Sequence, residues 1–250
     1  CFFLVIVLFA YFRKDLPKIR DISGDKVGGS ISYYDRTGQT LLWQDYSAIK
    51  RTPVSGDQIS PYLRAATVAI EDKEFYTEGA FNVRGIARAM FKNLTGTGGG
   101  NLQGGSTLTQ QLVKLNNQWT ADRTITRKVK ELILAVELEK EYSKSDILTG
   151  YLNITPYGGI QYGAEAASQD YFHIPAKDLS LAQATMLAAI PQAPSYYSPY
   201  GNTQWNPSAG NTFNRDALIG RQHYILDQMV KQKVKLPLDG AGKPERPLTQ

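Results

Sequence analysis

The chain has 250 residues, 42% of them hydrophobic and 20% charged, with a formal net charge of +5. That balance excludes an intrinsically disordered polypeptide, and a single cysteine, Cys1, excludes an internally disulfide-stapled fold. Only two histidines are present, His173 and His223, so no Cys/His zinc module can form. The positive charge suits an anionic membrane surface or a phosphate-bearing substrate, and no recognisable nucleic-acid-binding module accompanies it.

Residues 1–12 are an unbroken apolar run. As a helix they would span about 18 Å, against roughly 30 Å of hydrocarbon in a bilayer. No initiating methionine precedes them and no small-residue cleavage site follows. The expectation is a transmembrane helix over residues 1–14 that has lost its N-terminal part, with a signal-peptide core as the alternative. Cys1 then reads as a membrane-buried cysteine rather than a lipidated one. Arg13, Lys14, Lys18 and Arg20 follow the run, and positive charge ordinarily stays in the cytoplasm, so charge alone leaves the orientation open.

Residues 30–34 and 40–43 are strand-like and are joined by Asp35-Arg36-Thr37-Gly38, a hairpin inside a stalk of residues 15–59. From residue 60 the pattern turns helical. Ser60 is an N-cap with Pro61 at the first helical position, and Leu63, Ala66 and Ile70 recur at core spacing. Glu71 closes this helix. There the dipole and partial burial both favour the proton-holding form of a carboxyl, as suits a general base. A solvated helix-end charge is the plain alternative.

Residues 95–105 are rich in glycine and polar side chains and read as an irregular loop. No Gly-Lys-Ser/Thr follows, so this is not a P-loop. Residues 104–114 are the most informative stretch: Gly104-Gly105-Ser106-Thr107-Leu108-Thr109-Gln110-Gln111-Leu112-Val113-Lys114. Two glycines allow a tight turn. Ser106 or Thr107 then caps a helix whose first amides and dipole favour an anion. Gln110, Gln111 and Lys114 stand three and four residues apart, on one face. The group suits a phosphate or a sugar, and an ordinary capped surface helix is the plain alternative.

Asp122 or Thr124 opens the next helix, with an expected apolar stripe of Val129, Leu132, Ile133 and Val136. Within it Arg127 and Lys128 stand four and three residues before Glu131. The plain reading is a surface salt bridge of about 0.2–0.5 kcal/mol. The functional reading sets both cations against a departing phosphate, with Glu131 orienting them or holding a divalent metal. Ser143 with Asp146, and Ser180 with Gln183, read as capping boxes, and Pro191 ends the second of these helices. A loop at 196–211, a last helix near 215–231 and a linker-like tail at 236–250 complete a mainly α chain without internal repeats.

Glu71-Asp72-Lys73-Glu74-Phe75 comes first; the 104–114 stretch and Arg127-Lys128-Val129-Lys130-Glu131 follow. Next is Lys144-Ser145-Asp146-Ile147-Leu148, leading to Tyr151-Leu152-Asn153. Last is Leu179-Ser180-Leu181-Ala182-Gln183, leading to Pro191-Gln192-Ala193-Pro194-Ser195. Their order and spacing resemble the five signature motifs of glycosyltransferase family 51. These are the peptidoglycan glycosyltransferases found alone or as the N-terminal half of bifunctional penicillin-binding proteins. The resemblance runs over residues 60–229.

The resemblance implies a lysozyme-like helical lobe with a smaller membrane-proximal lobe, a catalytic domain at 60–235, and a single-pass anchor that leaves this domain outside the bacterial cytoplasmic membrane. It implies that Glu71 deprotonates the 4-hydroxyl of an acceptor sugar, which attacks the donor's anomeric carbon with inversion while the lipid pyrophosphate leaves. Glu131 would be a second essential glutamate, often with Mg²⁺, and no organic cofactor is implied. Ser106, Thr107, Gln110, Gln111 and Lys114 would line the donor cleft. Asp72, Arg123, Arg127 and Lys128 would also meet substrate. Phe75 would keep the base dry or simply fill the core, and Asn153 would touch a sugar or serve the fold. Lipid II, the growing lipid-linked glycan, the membrane and other cell-wall synthesis proteins are the implied partners.

Some positions depart from the motifs. Glu78 stands where a histidine is usual, and its charge, if close, would favour the protonated form of Glu71. Ala80 replaces a glycine, Thr149 a glutamate, and Thr155-Pro156 an apolar-aromatic pair. Gly150 adds a mid-helix glycine costing roughly 0.5–1 kcal/mol relative to alanine. The alternatives to a polymerase are a non-catalytic scaffold of wall synthesis and a lysozyme-like muramidase or lytic transglycosylase.

Overall fold

Local capping chemistry sets most helix boundaries. The computed structural model describes residues 22, 31–45, 49–80, 106–120, 124–200, 213–237 and 245–249. The expected membrane helix, the 95–105 loop and Arg123 lie outside these residues. Among the described residues no helix is long and apolar enough to cross a membrane.

Strands β1 (Ile31–Tyr34) and β2 (Leu41–Asp45) form the expected antiparallel hairpin, pairing Tyr33 with Trp43. Asp35 organises its turn. One carboxylate oxygen accepts from the Thr37 hydroxyl and from the amides of Thr37, Gln39 and Thr40, which lowers its pKa to about 2. Strand β3 (Lys50–Arg51) runs parallel to β4 (Gln161–Tyr162).

Helix α1 (Pro61–Glu71) starts at Ser60, whose hydroxyl accepts from the Tyr62 amide, with Pro61 following as expected. Helix α2 (Leu108–Asn116) is capped by Thr107, and α3 (Ile125–Glu141) by Thr124. Both predicted capping boxes are present, on α4 (Lys144–Ile154) and α6 (Leu181–Ala189). Between these lies α5 (Ala164–Phe172); after them come the short α7 (Pro194–Tyr197) and α8 (Arg215–Lys231). The tail, read as a linker, carries a two-stranded pair instead, β5 (Lys235–Pro237) with β6 (Glu245–Pro247), and Leu236 is buried.

Helix α1 packs on α6 and α8, while α2 packs on α3 and α4. Leu63, Leu108, Leu112, Leu134, Leu148 and Leu152 are all fully buried in one shared core. Each such side chain contributes roughly 1.5–3 kcal/mol.

The buried face of α3 differs from the expected stripe. Glu131, Leu134, Ala135 and Leu138 lie inside together with Ile133, while Val129, Leu132 and Val136 are only partly covered. The spacing 131/134/135/138 is a regular helical face headed by a charged residue. A pattern built on apolar residues alone selects the neighbouring face.

Gly150 has a packing reason. A Cβ there would stand 3.0 Å from the Ile22 carbonyl oxygen, so the glycine lets the chain entering the domain lie directly on α4. Gly163 adopts φ +86°, and a Cβ there would meet the Asn153 carbonyl oxygen at 2.6 Å.

Candidate active site

The end of α1 and the start of α2 are joined by an acid. Asp72 accepts from the Leu108 amide at 3.0 Å, placing a carboxylate at the N-terminus of α2. Thr107 completes that start: its hydroxyl accepts from the Gln110 amide at 3.3 Å and donates to the Ala80 carbonyl at 2.9 Å. The helix start expected to greet a substrate anion is therefore already served by Asp72 and Thr107. Both hold the site's walls together.

Burial pushes the Asp72 carboxyl above 3.8, opposed first by the Leu108 amide and then by Lys144. A raised folded value means that the fold binds this proton more tightly than the unfolded chain does. The stability linked to Asp72 is thus present below about pH 4 and is lost as pH rises through the folded value. Asp72→Asn, which keeps the acceptor, is expected to remove that slope, as read from urea midpoints measured between pH 3.5 and 7.

Glu71 is half-buried. Its Oε2 accepts from Gln111 Nε2 at 3.0 Å, and its other oxygen has no partner among the described residues. Gln111 Oε1 in turn accepts from the Tyr151 hydroxyl at 3.4 Å. Tyr151 and Tyr157 are each 1% exposed. Both phenols are pushed upward, first by burial and then by the negative charge of Glu71, so both stand within its electrostatic reach.

The second acid, Glu131 on α3, is reached from the neighbouring glutamine of α2. Gln110 donates Nε2 to the Ala80 carbonyl at 2.9 Å and accepts from Lys128 Nζ at 2.9 Å. Lys128 also donates to Ser106 at 2.7 Å and to Glu131 Oε1 at 2.6 Å. Arg127 pairs with the other oxygen of Glu131. Glu131 is 1% exposed, so this is a buried two-cation clamp and not the surface salt bridge of the plain reading. Consecutive glutamines of α2 thus tie the two glutamates together, Gln111 directly to Glu71 and Gln110 through Lys128 to Glu131. Lys114, three residues beyond Gln111 on α2, has no polar partner among the described residues.

This donor set does not fit a resident Mg²⁺. Both oxygens of Glu131 are committed to cations, and no group of three His, Cys, Asp or Glu among the described residues could hold a metal ion. No catalytic step is therefore assigned to a metal on Glu131.

The sequence profile of the transglycosylase family matches residues 37–230. The chain belongs to the transglycosylase family. It is 42% identical over 170 residues to penicillin-binding protein 1F of Bacillus subtilis, covering 68% of this chain and 23% of that one. It is 34% identical over 254 residues to penicillin-binding protein 1A of Mycobacterium tuberculosis, covering 96% of this chain and 27% of the relative. With penicillin-binding protein 1A of Streptococcus oralis it is 34% identical over 233 residues, covering 92% and 36%. The chain thus spans about a quarter to a third of the length of these curated relatives.

Within this transglycosylase domain four residues read as substrate contacts are engaged by the protein itself. Phe75 is 1% exposed and packs in the core, edge-on to Tyr76 and beneath Lys144 Nζ at 4.7 Å. Gln110 and Thr107, 1% and 3% exposed, spend their polar atoms on protein. Asn153 is a brace: its amide accepts from the Val54 N–H at 3.1 Å and donates to the Val54 carbonyl at 2.8 Å. Asn153→Ala is expected to lower unfolding stability by about 1–3 kcal/mol for two lost hydrogen bonds. Turnover of the folded protein at saturating substrate should stay near wild type; a selective rise in KM would restore the sugar-contact role.

Thr149, the usual glutamate position, accepts from Arg64 at 2.9 Å, so α1 and α4 stay linked without a salt bridge. Sequence reading missed Tyr151, Tyr157, Glu139 and Lys144. Glu139 accepts from Thr109 and from Lys144, the latter at 2.7 Å. No spacing rule points to it, because its partners lie on other helices.

Proposed function

We propose that this domain polymerises lipid II into glycan strands, with inversion at the donor's anomeric carbon and loss of the lipid pyrophosphate. The observation that carries the reading is the double-glutamine link between a base with one oxygen unpartnered among the described residues and a buried acid holding two cations. Glu71 Oε1 takes the proton of the acceptor 4-hydroxyl as its oxygen attacks. Arg127 and Lys128, aimed by Glu131, meet the charge that grows on the leaving pyrophosphate. Lys114, unpaired among the described residues, and Ser106 complete the anion-facing side; for Arg123 the proposal rests on the motif resemblance alone.

The membrane-facing parts of the proposal are a lysozyme-like lobe outside the cytoplasmic membrane, a single-pass anchor, the growing lipid-linked glycan strand as second substrate, and cell-wall synthesis proteins as partners. A glycosidase of similar fold needs a protonated acid and has no use for a cation clamp, which disfavours the cleaving alternative. The test is polymerisation of purified lipid II by the membrane-anchored protein. Long glycan products support the proposal; release of soluble muropeptides from purified wall in their place refutes it.

A further inference from the structure

We infer that Tyr151 is a positioning residue for the Glu71 base, acting through Gln111: its hydroxyl fixes the Gln111 amide so that the NH₂ end faces the carboxylate. The inference rests on the proposed role of Glu71 and goes beyond it.

An amide has a donor end and an acceptor end of nearly equal shape. Nothing in Gln111 itself decides which end meets Glu71. Turned round, its oxygen would face a carboxylate oxygen and repel it. The Tyr151 hydroxyl donates to Gln111 Oε1 and the Nε2 end then donates to Glu71 Oε2. Tyr151 is well placed for this duty. It is 1% exposed in α4, and its carbonyl accepts from both the amide and the hydroxyl of Thr155, at 3.0 and 2.7 Å. Burial keeps its phenol protonated, so it acts as a donor throughout the working pH range.

The other titratable groups near the base do not duplicate this control. Tyr157 is also held protonated. Asp72, the next residue, is turned to the Leu108 amide. Glu78 lies on the segment that follows α1, and Lys114 lies three residues beyond Gln111 on α2. Donation by Gln111 favours the ionised carboxylate. Loss of a donor disfavours the ionised form of any carboxylate, so the inference expects the acidic limb of the rate profile to move upward.

The experiment is the pH dependence of kcat and KM for lipid II polymerisation in wild type, Tyr151→Phe, Gln111→Met, the double variant and Glu71→Gln, with unfolding temperature measured on each. For Tyr151→Phe, kcat is expected to fall roughly two- to tenfold, the worth of one neutral hydrogen bond. KM should be nearly unchanged and the acidic limb should shift to higher pH. Gln111→Met should shift the limb the same way even if Tyr151→Phe folds poorly, and the double variant should lose no more than the worse single. A limb that stays in place in folded Tyr151→Phe, or additive losses, overturns the inference while Glu71→Gln remains inactive. Activity retained in Glu71→Gln would instead overturn the base itself.

Discussion

Glu71→Gln is expected to reduce glycan polymerisation by about 10²–10⁴-fold, the usual worth of a positioned general base, with little change in unfolding temperature. The asymmetry follows from the geometry. Glu71 is half-buried, at the last turn of α1, with one oxygen held by Gln111 and the other without a partner among the described residues. A glutamine keeps the volume and one acceptor, so the local packing is little disturbed. It cannot take a proton at neutral pH. The helix end loses an unfavourable charge–dipole contact as well, which offsets part of the weakening of the Gln111 hydrogen bond. The measurement is product formation from labelled lipid II together with thermal unfolding of the same preparation. A variant that still polymerises at a tenth of the wild-type rate would remove Glu71 from the chemistry. One that melts far below wild type would make it a structural acid.

Elements governed by neighbours in the chain were legible in advance. The capping boxes at Ser143–Asp146 and Ser180–Gln183 and the Ser60-Pro61 start need only residues within one turn, and all are present. Motif order was equally informative about which side chains gather. Roles depending on distant partners were not legible. Asn153 finds Val54 across 99 positions, and Asp72 finds Leu108 across 36, so both read as available for substrate until the fold occupies them. Glu131 was hidden for another reason. Apolar patterning assigns a glutamate to the outside, and only a pair of cations reaching the same carboxylate makes its burial tolerable. Tyr151 looked like part of a motif and nothing more, because its hydroxyl acts through a glutamine on another helix.

Glu131→Ala is expected to abolish activity and to destabilise the fold, and the second effect separates two roles for this residue. Removing one member of a buried ion pair costs about 3–5 kcal/mol, because its partner stays desolvated. The Lys128 side chain is 35% exposed and can turn to water, while Arg127 at 15% cannot readily do so. The low end, about 3 kcal/mol, is therefore expected, or roughly 6–12 °C in Tm for a chain of this size. Glu131→Gln should lose less stability, since an amide oxygen still accepts one of the two cations, yet it should lose most of the activity. Without a shared anion Arg127 and Lys128 repel each other and no longer present their charge together at the proposed leaving group. The decisive condition is unfolding in excess EDTA. A clamp made of protein charges loses the same stability with or without chelator. A glutamate whose task is to hold a metal would leave the chelated protein as stable as wild type, and that outcome would sink the clamp.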